Sequence, residues 1–388
     1  MIDFLSEAAA IEGDLIALRR EIHRHPELGR AEENTARLVE RELRALGIET
    51  RRIADTGVVG ELRGSLPGRT VALRADMDAL PVQEQSGLPF ASENDGVMHA
   101  CGHDLHTAAL LGAARLLSAH RDQLRGSVRF FFQPDEEGDG GAARMIAEGC
   151  MENVSAVFGA HVMPEFPAGT VGVRYGKAYA ASNPFDIALR GKSSHGAEPH
   201  LGSDVIVAAG ALVGAIQTLV SREVSPLDSA VISIGSLHAG TARNIIADEA
   251  KLSGIIRCFG PEMRTQLADR LTAMTNAIAA AHGVEAEIKI QWGYSGIIND
   301  NAMTALVHQS AAKVLGEASV VSEPVPSLTT EDFGEFLSCA PGTFWHFGVG
   351  RPDAENAPLH NPHFNPDESA LKIAAAVHAQ TVMDYLNQ

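Results

Sequence analysis

The order of apolar and polar positions predicts a chain of alternating helices and strands. Helical periodicity marks four segments of the first half: 4–24, 32–47, 104–124 and 139–151. Short apolar stretches typical of buried strands occur at 70–75, 127–132 and 156–160. Apolar strands that are separated by helices predict a mainly parallel sheet covered by helices on both faces.

A different pattern begins near residue 180. Strands are predicted at 183–190, 230–237, 244–259 (one strand or a pair) and 284–292, and helices at 203–221 and 261–282. This β-α-β-β-α-β order is typical of the ferredoxin-like arrangement. The first pattern then resumes with a helix at 300–315 and a strand at 343–349. We therefore predict an α/β fold in which 1–179 and 295–388 form a mainly parallel sheet sandwiched by helices, with an inserted ferredoxin-like α+β domain at 180–294.

Charge and cysteine content narrow the functional classes. The 388 residues include 31 Lys and Arg against 49 Asp and Glu, a net charge of −18 with no basic run, so nucleic acid and anionic membranes are poor partners. The apolar run at 205–220 is short for a bilayer and rich in Gly and Ala, which favours a packed helix. Four widely spaced cysteines and the absence of a basic, apolar secretion signal predict a cytoplasmic protein.

Each early strand is followed by side chains that bind metals. These are Asp76 and Asp78, then Asp135, Glu136 and Glu137, then His161. Sites in open α/β sheets form beyond the carboxyl ends of the strands, so these groups can converge. A solvated acidic turn and a structural histidine are the alternative interpretations. The apolar strand before the acidic run favours a site, because three adjacent carboxylates there need positive charge nearby.

The stretch H-A-C-G-H-D-L-H at 99–106 lies where the helix 104–124 begins. Cys-X-His supplies only two ligands and fits no zinc-finger spacing, so it predicts part of a metal site, a cysteine nucleophile or a polar turn. An acidic cluster raises the pKa of a thiol, which disfavours the nucleophile.

The chain offers five ligands of the types that zinc, manganese, cobalt or nickel accept: Cys101, His103, Glu137, His161 and His360. Five protein ligands suit two divalent ions that share a bridging water. Side chains alternate along an extended segment, so Glu136 and Glu137 are expected to point in different directions. One can then bind metal while the other, Glu136, moves protons during hydrolysis.

Eight segments carry a family resemblance: H-R-H-P-E-L-G, L-R-A-D-M-D-A-L-P, H-A-C-G-H-D-L-H-T-A, F-Q-P-D-E-E-G-D-G-G-A, G-A-H-V, S-S-H-G-A-E-P-H-L-G-S-D, A-R-N-I-I-A-D-E-A and L-H-N-P-H-F. In this order they resemble the metal-dependent amidohydrolases of the hippurate hydrolase and auxin-conjugate hydrolase type, relatives of carboxypeptidase G and the aminoacylases. The resemblance covers nearly the whole chain.

The resemblance implies a zinc-exopeptidase-like fold with a dinuclear site. The five ligand candidates fall on the ligand positions of the family, and Glu136 falls on its catalytic base. The inserted domain becomes a lid that carries the dimer interface of a homodimer or homotetramer. His195 in S-S-H-G then stabilises the oxyanion, and Asn244 contacts the substrate.

Other polar residues receive supporting roles. More distant relatives have a metal-binding histidine at the place of Asp76, so Asp76 and Asp78 are expected to orient ligands. Asp135 stands where small residues are common and adds a charge beside the base. Arg257 is a candidate for the substrate carboxylate, although an ordinary surface arginine is equally common. Three residues are expected to support the loop and the helix start: His99, His106 and Asp104, the last as an N-cap.

These observations predict an enzyme with two divalent ions per subunit that splits N-acyl amino acids, such as N-acetyl or N-benzoyl compounds, into a carboxylic acid and an amino acid. A dipeptidase or an N-carbamoyl amino acid hydrolase with the same centre is the alternative enzyme. A non-catalytic binding protein is the alternative of another class. The intact ligand set and Glu136 argue against it.

Overall fold

The computed structural model describes residues 2–352 and 354–388. The chain forms two units. The first comprises Met1–Ala178, Ile298–Val325 and Asp332–Gln388, and the second comprises Tyr179–Ile297 and Pro326–Glu331. The sequence-based boundaries were 179/180 and 294/295. They did not include the short segment Pro326–Glu331, whose Ser327 accepts a backbone hydrogen bond from Ala180 of the second unit.

The helices are α1 (Phe4–Ala10), α2 (Glu12–Arg24), α3 (Glu33–Ala45), α4 (His103–Ala119), α5 (Ala142–Ala147), α6 (Val205–Thr218), α7 (Pro261–Ala281), α8 (Asn301–Leu315), α9 (Gly334–Leu337) and α10 (Ala370–Leu386). The strands of the first half are β1 (Glu49–Ile53), β2 (Gly57–Arg63), β3 (Leu66–Asp76), β4 (Arg125–Gln133), β5 (Val154–Pro167), β6 (Val171–Val173), β7 (Gly176–Tyr179) and β8 (Ala181–Arg190). Those of the second half are β9 (Ser194–His195), β10 (Ala230–Ala239), β11 (Ile245–Ile246), β12 (Glu249–Cys258), β13 (Glu285–Ile290), β14 (Ile297–Asn299), β15 (Val320–Ser322) and β16 (Gly342–Gly350).

An eight-stranded sheet forms the centre of the first unit, with the order β1-β2-β4-β3-β5-β16-β6-β15. The central strands β4, β3, β5 and β16 run parallel, and the hairpin β1–β2 adds antiparallel strands at one edge. Helices α4 and α10 pack together against this sheet, and nearly every side chain of both is buried. Their continuous apolar composition suits helices that are enclosed on all sides.

The second unit has a four-stranded antiparallel sheet with the order β10-β12-β8-β13. Helices α6 and α7 contact this sheet and each other, and their apolar side chains form a separate core with those of the strands. The order of elements is that of the ferredoxin-like arrangement. The predicted fold class, a mainly parallel sheet with helices and an inserted α+β domain, is confirmed.

Helix α6 is the most apolar helix of the second unit. The run Val205–Glu223, which includes a π turn after α6, is by length and composition alone long and apolar enough to cross a membrane, and 33% of its most apolar part is buried. The α-helical part has 14 residues, which corresponds to a length of about 21 Å. One face packs on the sheet through Val205, Ala208, Ala209, Leu212 and Ile216.

Several predicted bounds differ from the observed ones. The helix predicted at 4–24 is two helices, because the backbone of Ile11 leaves the helical conformation. The helix predicted at 139–151 is limited to Ala142–Ala147, since three glycines precede it. The hairpin β1–β2 and the helix α10 were not predicted. Arginines and glutamates interrupt the apolar alternation of the hairpin, and the fully buried α10 shows little amphipathic contrast.

Candidate active site

Three parallel strands and one helix bring polar side chains to one edge of the sheet in the first unit. β3 ends at Asp76, β4 ends at Gln133, and His161 lies on β5. Because β3 pairs in parallel with both β4 and β5, the carboxyl ends of the three strands share this edge. Helix α4 begins at His103, two residues after Cys101.

Gly102 makes the turn that lets both neighbours face the site. Its φ of 82° lies in the left-handed region, which favours glycine. A Cβ atom at this position would lie 2.7 Å from Cγ2 of Val162 on β5, so a side chain would collide with the strand. The close approach explains how Cys101 and His103 reach the same group of donor atoms.

The five ligand candidates lie together. The donor atoms of Cys101, His103 and His161 are all within 4.8 Å of one another, and so are those of Cys101, Glu137 and His360. Cys101 Sγ lies 3.5 Å from His161 Nε2, and His360 Nε2 lies 3.1 Å from Glu137 Oε1. The two groups share the cysteine sulfur, an arrangement that can hold two ions close together.

Backbone contacts leave the histidine nitrogens ready to bind a metal. Nδ1 of His161 donates to the carbonyl of Val162 at 2.8 Å, and Nδ1 of His103 donates to the carbonyl of Asp78 at 2.8 Å. In a neutral ring the other nitrogen, Nε2, then carries a lone pair. His103 Nε2 is buried and has no hydrogen-bond partner among the described residues. A buried ring nitrogen without a partner, among several potential ligand atoms, fits a metal ion.

The charges around the donors also fit a cation. Burial, together with the carboxylates of Glu137 and Glu136, holds the pKa of the Cys101 thiol well above its usual range. Burial would lower the pKa of His103, but the carboxylates around it, first that of Asp76, raise it to about 10. The carboxylates that raise both pKa values also attract a divalent cation, whose binding requires the thiol and the imidazole to lose their protons. A thiol with a raised pKa is a poor nucleophile, which argues against the cysteine-nucleophile alternative.

Asp78 contacts two ligand residues from behind, and Asp76 contacts His106 on the helix that carries His103. Asp78 Oδ1 lies 3.3 Å from His103 Nδ1, and its Oδ2 accepts a hydrogen bond from the backbone nitrogen of Glu137 at 2.9 Å. Asp76 Oδ1 lies 2.6 Å from His106 Nδ1, while Nε2 of His106 accepts from the backbone nitrogen of Val162 at 2.9 Å. Such contacts fix the direction of the ligands.

Arg74 balances the charge of the buried carboxylates. Its guanidinium donates to Asp76 at 2.7 Å, to Gln133 at 2.8 Å and to Asp332 at 3.1 Å, and all four side chains are buried. Burial would raise the pKa of Asp76, but the charges of His103 and Arg74 beside it hold that pKa well below its usual range. Asp332 also accepts from the backbone nitrogen of Ala142 at 3.0 Å, which ties α5 to the same network.

Glu136 lies at the border of the donor cluster. It is 7% exposed, and its carboxylate lies in one group with those of Glu137 and the ring of His103, with donor atoms within 4.8 Å. A carboxylate at the border of the donor cluster can exchange a proton with a water molecule or substrate there.

His360 enters the site from the loop between β16 and α10. Its φ of 63° is uncommon for a residue other than glycine. Two contacts hold this conformation, a hydrogen bond from its backbone nitrogen to the carbonyl of Ala100 at 2.8 Å and the contact of its ring with Glu137. Backbone strain held by neighbours is frequent at functional sites.

The expected N-cap role of Asp104 is wrong, because Gly102 occupies the N-cap position of α4. Asp104 lies inside the first turn, where its carboxylate contacts Arg19 at 2.7 Å and His23 at 2.8 Å. These partners come from α2 and fasten the start of α4. His99 lies buried nearby, with its ring 6.4 Å from that of His23, and burial lowers its pKa to about 3.

The remaining predicted site residues lie in the second unit. His195 pairs with Ile245 in the ladder of β9 and β11, and Gly196 donates a backbone hydrogen bond to the carbonyl of Asn244 at 2.8 Å. His195 and Asn244 are therefore neighbours. The backbone nitrogen of Ala197 donates to Nδ1 of His195 at 3.1 Å, so the proton of a neutral ring is on Nε2 and can be donated to an oxyanion.

Arg257 lies on β12, opposite Val231 on β10 and Ser182 on β8. Its Nη1 atom is buried and has no hydrogen-bond partner among the described residues, and burial lowers the pKa of the guanidinium. A desolvated guanidinium nitrogen without a partner favours an anion as ligand.

Sequence reasoning missed three residues that support the site: Glu32, Arg74 and Asp332. Glu32 and Asp332 belong to polar stretches that also suit a surface turn, R-A-E-E and T-T-E-D-F, and Arg74 lies near the end of a strand in A-L-R-A-D. The signal available was the position of Arg74 inside an apolar strand, where a charge needs buried partners.

Comparison with known proteins extends these observations. The model of peptidase family M20/M25/M40 matches residues 72–384. N-acetyl-L-cysteine deacetylase of Bacillus subtilis (strain 168) is 42% identical over 94% of this chain and 86% of its own length. N-acyl-L-amino acid amidohydrolase of Geobacillus stearothermophilus is 43% identical over 74% of this chain and 79% of its own length. The crystal structure of the Bacillus subtilis YXEP protein, a dinuclear metal-binding peptidase of family M20, has a TM-score of 0.87, 37% identity, and coverage of 98% and 99%.

The fold, the donor cluster and these relatives define the protein as a hydrolase of the amidohydrolase class. The chain belongs to peptidase family M20/M25/M40. The resemblance noted in the sequence is thereby confirmed.

Proposed function

We propose that the protein hydrolyses the amide bond of N-acyl amino acids and releases a carboxylic acid and an amino acid. The observation that supports this most is the cluster of Cys101, His103, Glu137, His161 and His360 with Glu136 at its border. The deacetylase and amidohydrolase names of relatives above 40% identity support the substrate class.

In this proposal the five clustered residues hold two divalent ions per subunit, of zinc, manganese, cobalt or nickel. The thiolate, imidazole and carboxylate donors suit these ions. Such ions polarise a scissile carbonyl and lower the pKa of an attacking water. Asp78 fixes the orientation of the His103 ring. Asp76 contacts His106 and thereby fixes the start of α4, the helix that contains His103.

Glu136 moves the protons of the reaction. Its carboxylate takes a proton from the attacking water and later gives it to the nitrogen of the leaving amino acid, as amide hydrolysis requires. Its burial supports this role, because a partly desolvated carboxylate beside a donor cluster exchanges protons with the substrate rather than with bulk water.

The second unit serves as a lid that binds the substrate. His195 donates a hydrogen bond to the oxyanion of the tetrahedral intermediate through Nε2. Asn244, its neighbour, contacts the substrate. Arg257 binds the carboxylate of the amino acid, which its desolvated and unpartnered nitrogen supports.

We further propose a cytoplasmic homodimer or homotetramer joined through the second unit. The outer face of α6 supports this, because Ile206 and Val207 are about half exposed. A Cβ atom at Gly210 or Gly214 would meet no described atom within 4 Å, so a second helix can approach closely. Sedimentation of the metal-loaded protein measures the oligomeric state.

A substrate panel tests the proposed reaction. The metal-reconstituted protein is assayed with N-acetyl, N-benzoyl and N-carbamoyl amino acids and with dipeptides. The proposal expects the highest kcat/KM with an N-acyl amino acid. A preference for dipeptides or carbamoyl compounds would instead favour the alternative enzymes. Metal binding without hydrolysis of any amide would favour a binding protein.

A further inference from the structure

The side chain of Asp135, in the loop after β4, is fixed by contacts with several segments of the chain. Asp135 directly precedes Glu136 and Glu137, and its φ of 58° lies in the left-handed region. The side chain is buried, and its Oδ2 accepts hydrogen bonds from Arg30 Nε at 3.2 Å and from Arg144 Nη2 at 2.9 Å. The two arginines come from the turn before α3 and from α5, so one carboxylate joins three segments.

Two glycines make room for this carboxylate. A Cβ atom at Gly29 or at Gly138 would overlap with Oδ1 of Asp135. Neither glycine has a φ in the left-handed region, so space rather than backbone conformation is what these positions provide. The oxygen is therefore enclosed on both sides, while the second oxygen is paired with cations.

The backbone of Asp135 is fixed as well. Its nitrogen donates to Oε1 of Glu32 at 2.9 Å, and Oε2 of Glu32 accepts from the hydroxyl of Thr56 at 2.5 Å. Glu32 is fully buried. The carbonyl of Asp135 accepts from the nitrogen of Gly140 at 3.1 Å, which closes the loop that contains Glu136.

We propose that Asp135 is a positioning residue for the site. The Asp135 brace, which consists of Arg30, Glu32, Asp135 and Arg144, fixes the direction in which the loop presents Glu136 and Glu137. The roles of these two glutamates rest on the proposed function. The negative charge that Asp135 adds next to Glu136 is paired with arginines, so its effect on the site is geometric.

The Asp135 brace holds the backbone of Asp135 in a strained conformation. A residue other than glycine in the left-handed region costs about 1 kcal/mol or more, and such strain persists only where neighbours hold it. Without its partners, the loop can relax and move the Glu137 carboxylate away from Cys101 and His360. Loss of a contact that orients a ligand typically lowers metal affinity or activity by about 10- to 100-fold.

The first test compares metal affinity in Asp135→Ala, Asp135→Asn and the wild type, by competition with a chromophoric zinc chelator. We expect Asp135→Ala to bind zinc about 10- to 100-fold more weakly. Asp135→Asn keeps the shape, an acceptor oxygen and a residue that tolerates positive φ, so it should stay within about threefold of the wild type. Asp55→Ala is the matched control, because exposed Asp55 is the other carboxylate on Arg144.

The second test perturbs the same carboxylate through Oδ1, the oxygen that does not contact the arginines. Gly29→Ala substitutes neither Asp135 nor any ligand candidate, but it places a methyl group against Oδ1 of Asp135. It should therefore also weaken zinc binding about tenfold. In the Asp135→Ala background the overlap with Oδ1 is absent and the nearest remaining atom of this residue is its Cα at 3.1 Å, so the double variant should bind zinc about as Asp135→Ala does. Non-additivity of this kind shows that the two residues act through one contact.

Zinc affinity of Asp135→Ala or of Gly29→Ala within twofold of the wild type would overturn the proposal. Additive losses in the double variant would overturn it as well. Thermal unfolding of the metal-free variants shows whether a loss comes from an unfolded fraction, and Gly29→Ala keeps the proposal testable if Asp135→Ala does not fold. The assay contains no substrate, so its outcome is independent of whether the protein hydrolyses N-acyl amino acids.

Discussion

Glu32 provides a quantitative prediction for stability. Burial raises its pKa to about 7, against the lowering effect of its hydrogen bonds with Thr56 and Asp135, whereas an unfolded chain has an ordinary glutamate near 4.5. The native state then binds the proton more tightly than the unfolded state. The stabilising effect is complete below the unfolded pKa and is lost as the pH rises through the folded pKa.

The magnitude follows from the two pKa values. Each tenfold change in proton affinity is worth about 1.4 kcal/mol, so this group lowers the free energy of unfolding by about 3 kcal/mol between acidic pH and pH 8. Glu32→Gln removes the charge but can keep both contacts, since the amide oxygen accepts from Asp135 and the Thr56 hydroxyl accepts from the amide. We therefore expect Glu32→Gln to be about 3 kcal/mol more stable than the wild type at pH 8.

Urea unfolding of the metal-free protein at several pH values between 4 and 8 measures this difference. The gap between Glu32→Gln and the wild type should shrink as the pH falls and disappear near pH 4. Glu21→Gln, at a half-exposed position of α2, is the control for the substitution itself and should leave the pH dependence unchanged. The reasoning is refuted if Glu32→Gln is less stable than the wild type at pH 8, or if the gap does not depend on pH.

Two further predictions concern the charged network and the ligands. Arg74→Met leaves the buried carboxylates of Asp76 and Asp332 without their cation, and should cost about 3–5 kcal/mol in urea unfolding at pH 7. We expect the double variant Arg74→Met, Asp332→Asn to regain part of the lost free energy of unfolding. An Arg74→Met variant as stable as the wild type would contradict the role of Arg74 in this network. Cys101→Ser should weaken zinc binding at least tenfold in chelator competition, because a hydroxyl is a poorer ligand than a thiolate. Unchanged affinity would remove the cysteine from the ligand set.

The early strands were predictable because buried parallel strands are continuous apolar runs. The strand ending at Asp76 and the one ending before the Q-P-D-E-E-G loop could both be located, and the topology then predicted that their polar ends meet. The ferredoxin-like order of the second unit was predictable from the same alternation.

The supporting contacts of the site could not be predicted. Arg74 and Asp332 are far apart in sequence and meet only through the packing of β3 against the chain after the second unit. The left-handed backbone of Asp135 and His360 could not be predicted either, because Asp and His adopt it more often than most residues but still rarely, so the surrounding contacts decide where it occurs. The position of Asp104 could not be predicted for the same reason, because its carboxylate pairs with Arg19 and His23 on α2 instead of capping α4.

The proposed hydrolysis of an N-acyl amino acid depends on proton transfer by Glu136. The most direct measurement is kcat of Glu136→Gln and of the wild type on the best substrate of the panel, with metal content determined in both by elemental analysis. We predict equal metal content and a kcat at least about 100-fold lower in the variant. A kcat near that of the wild type at equal metal content would contradict it.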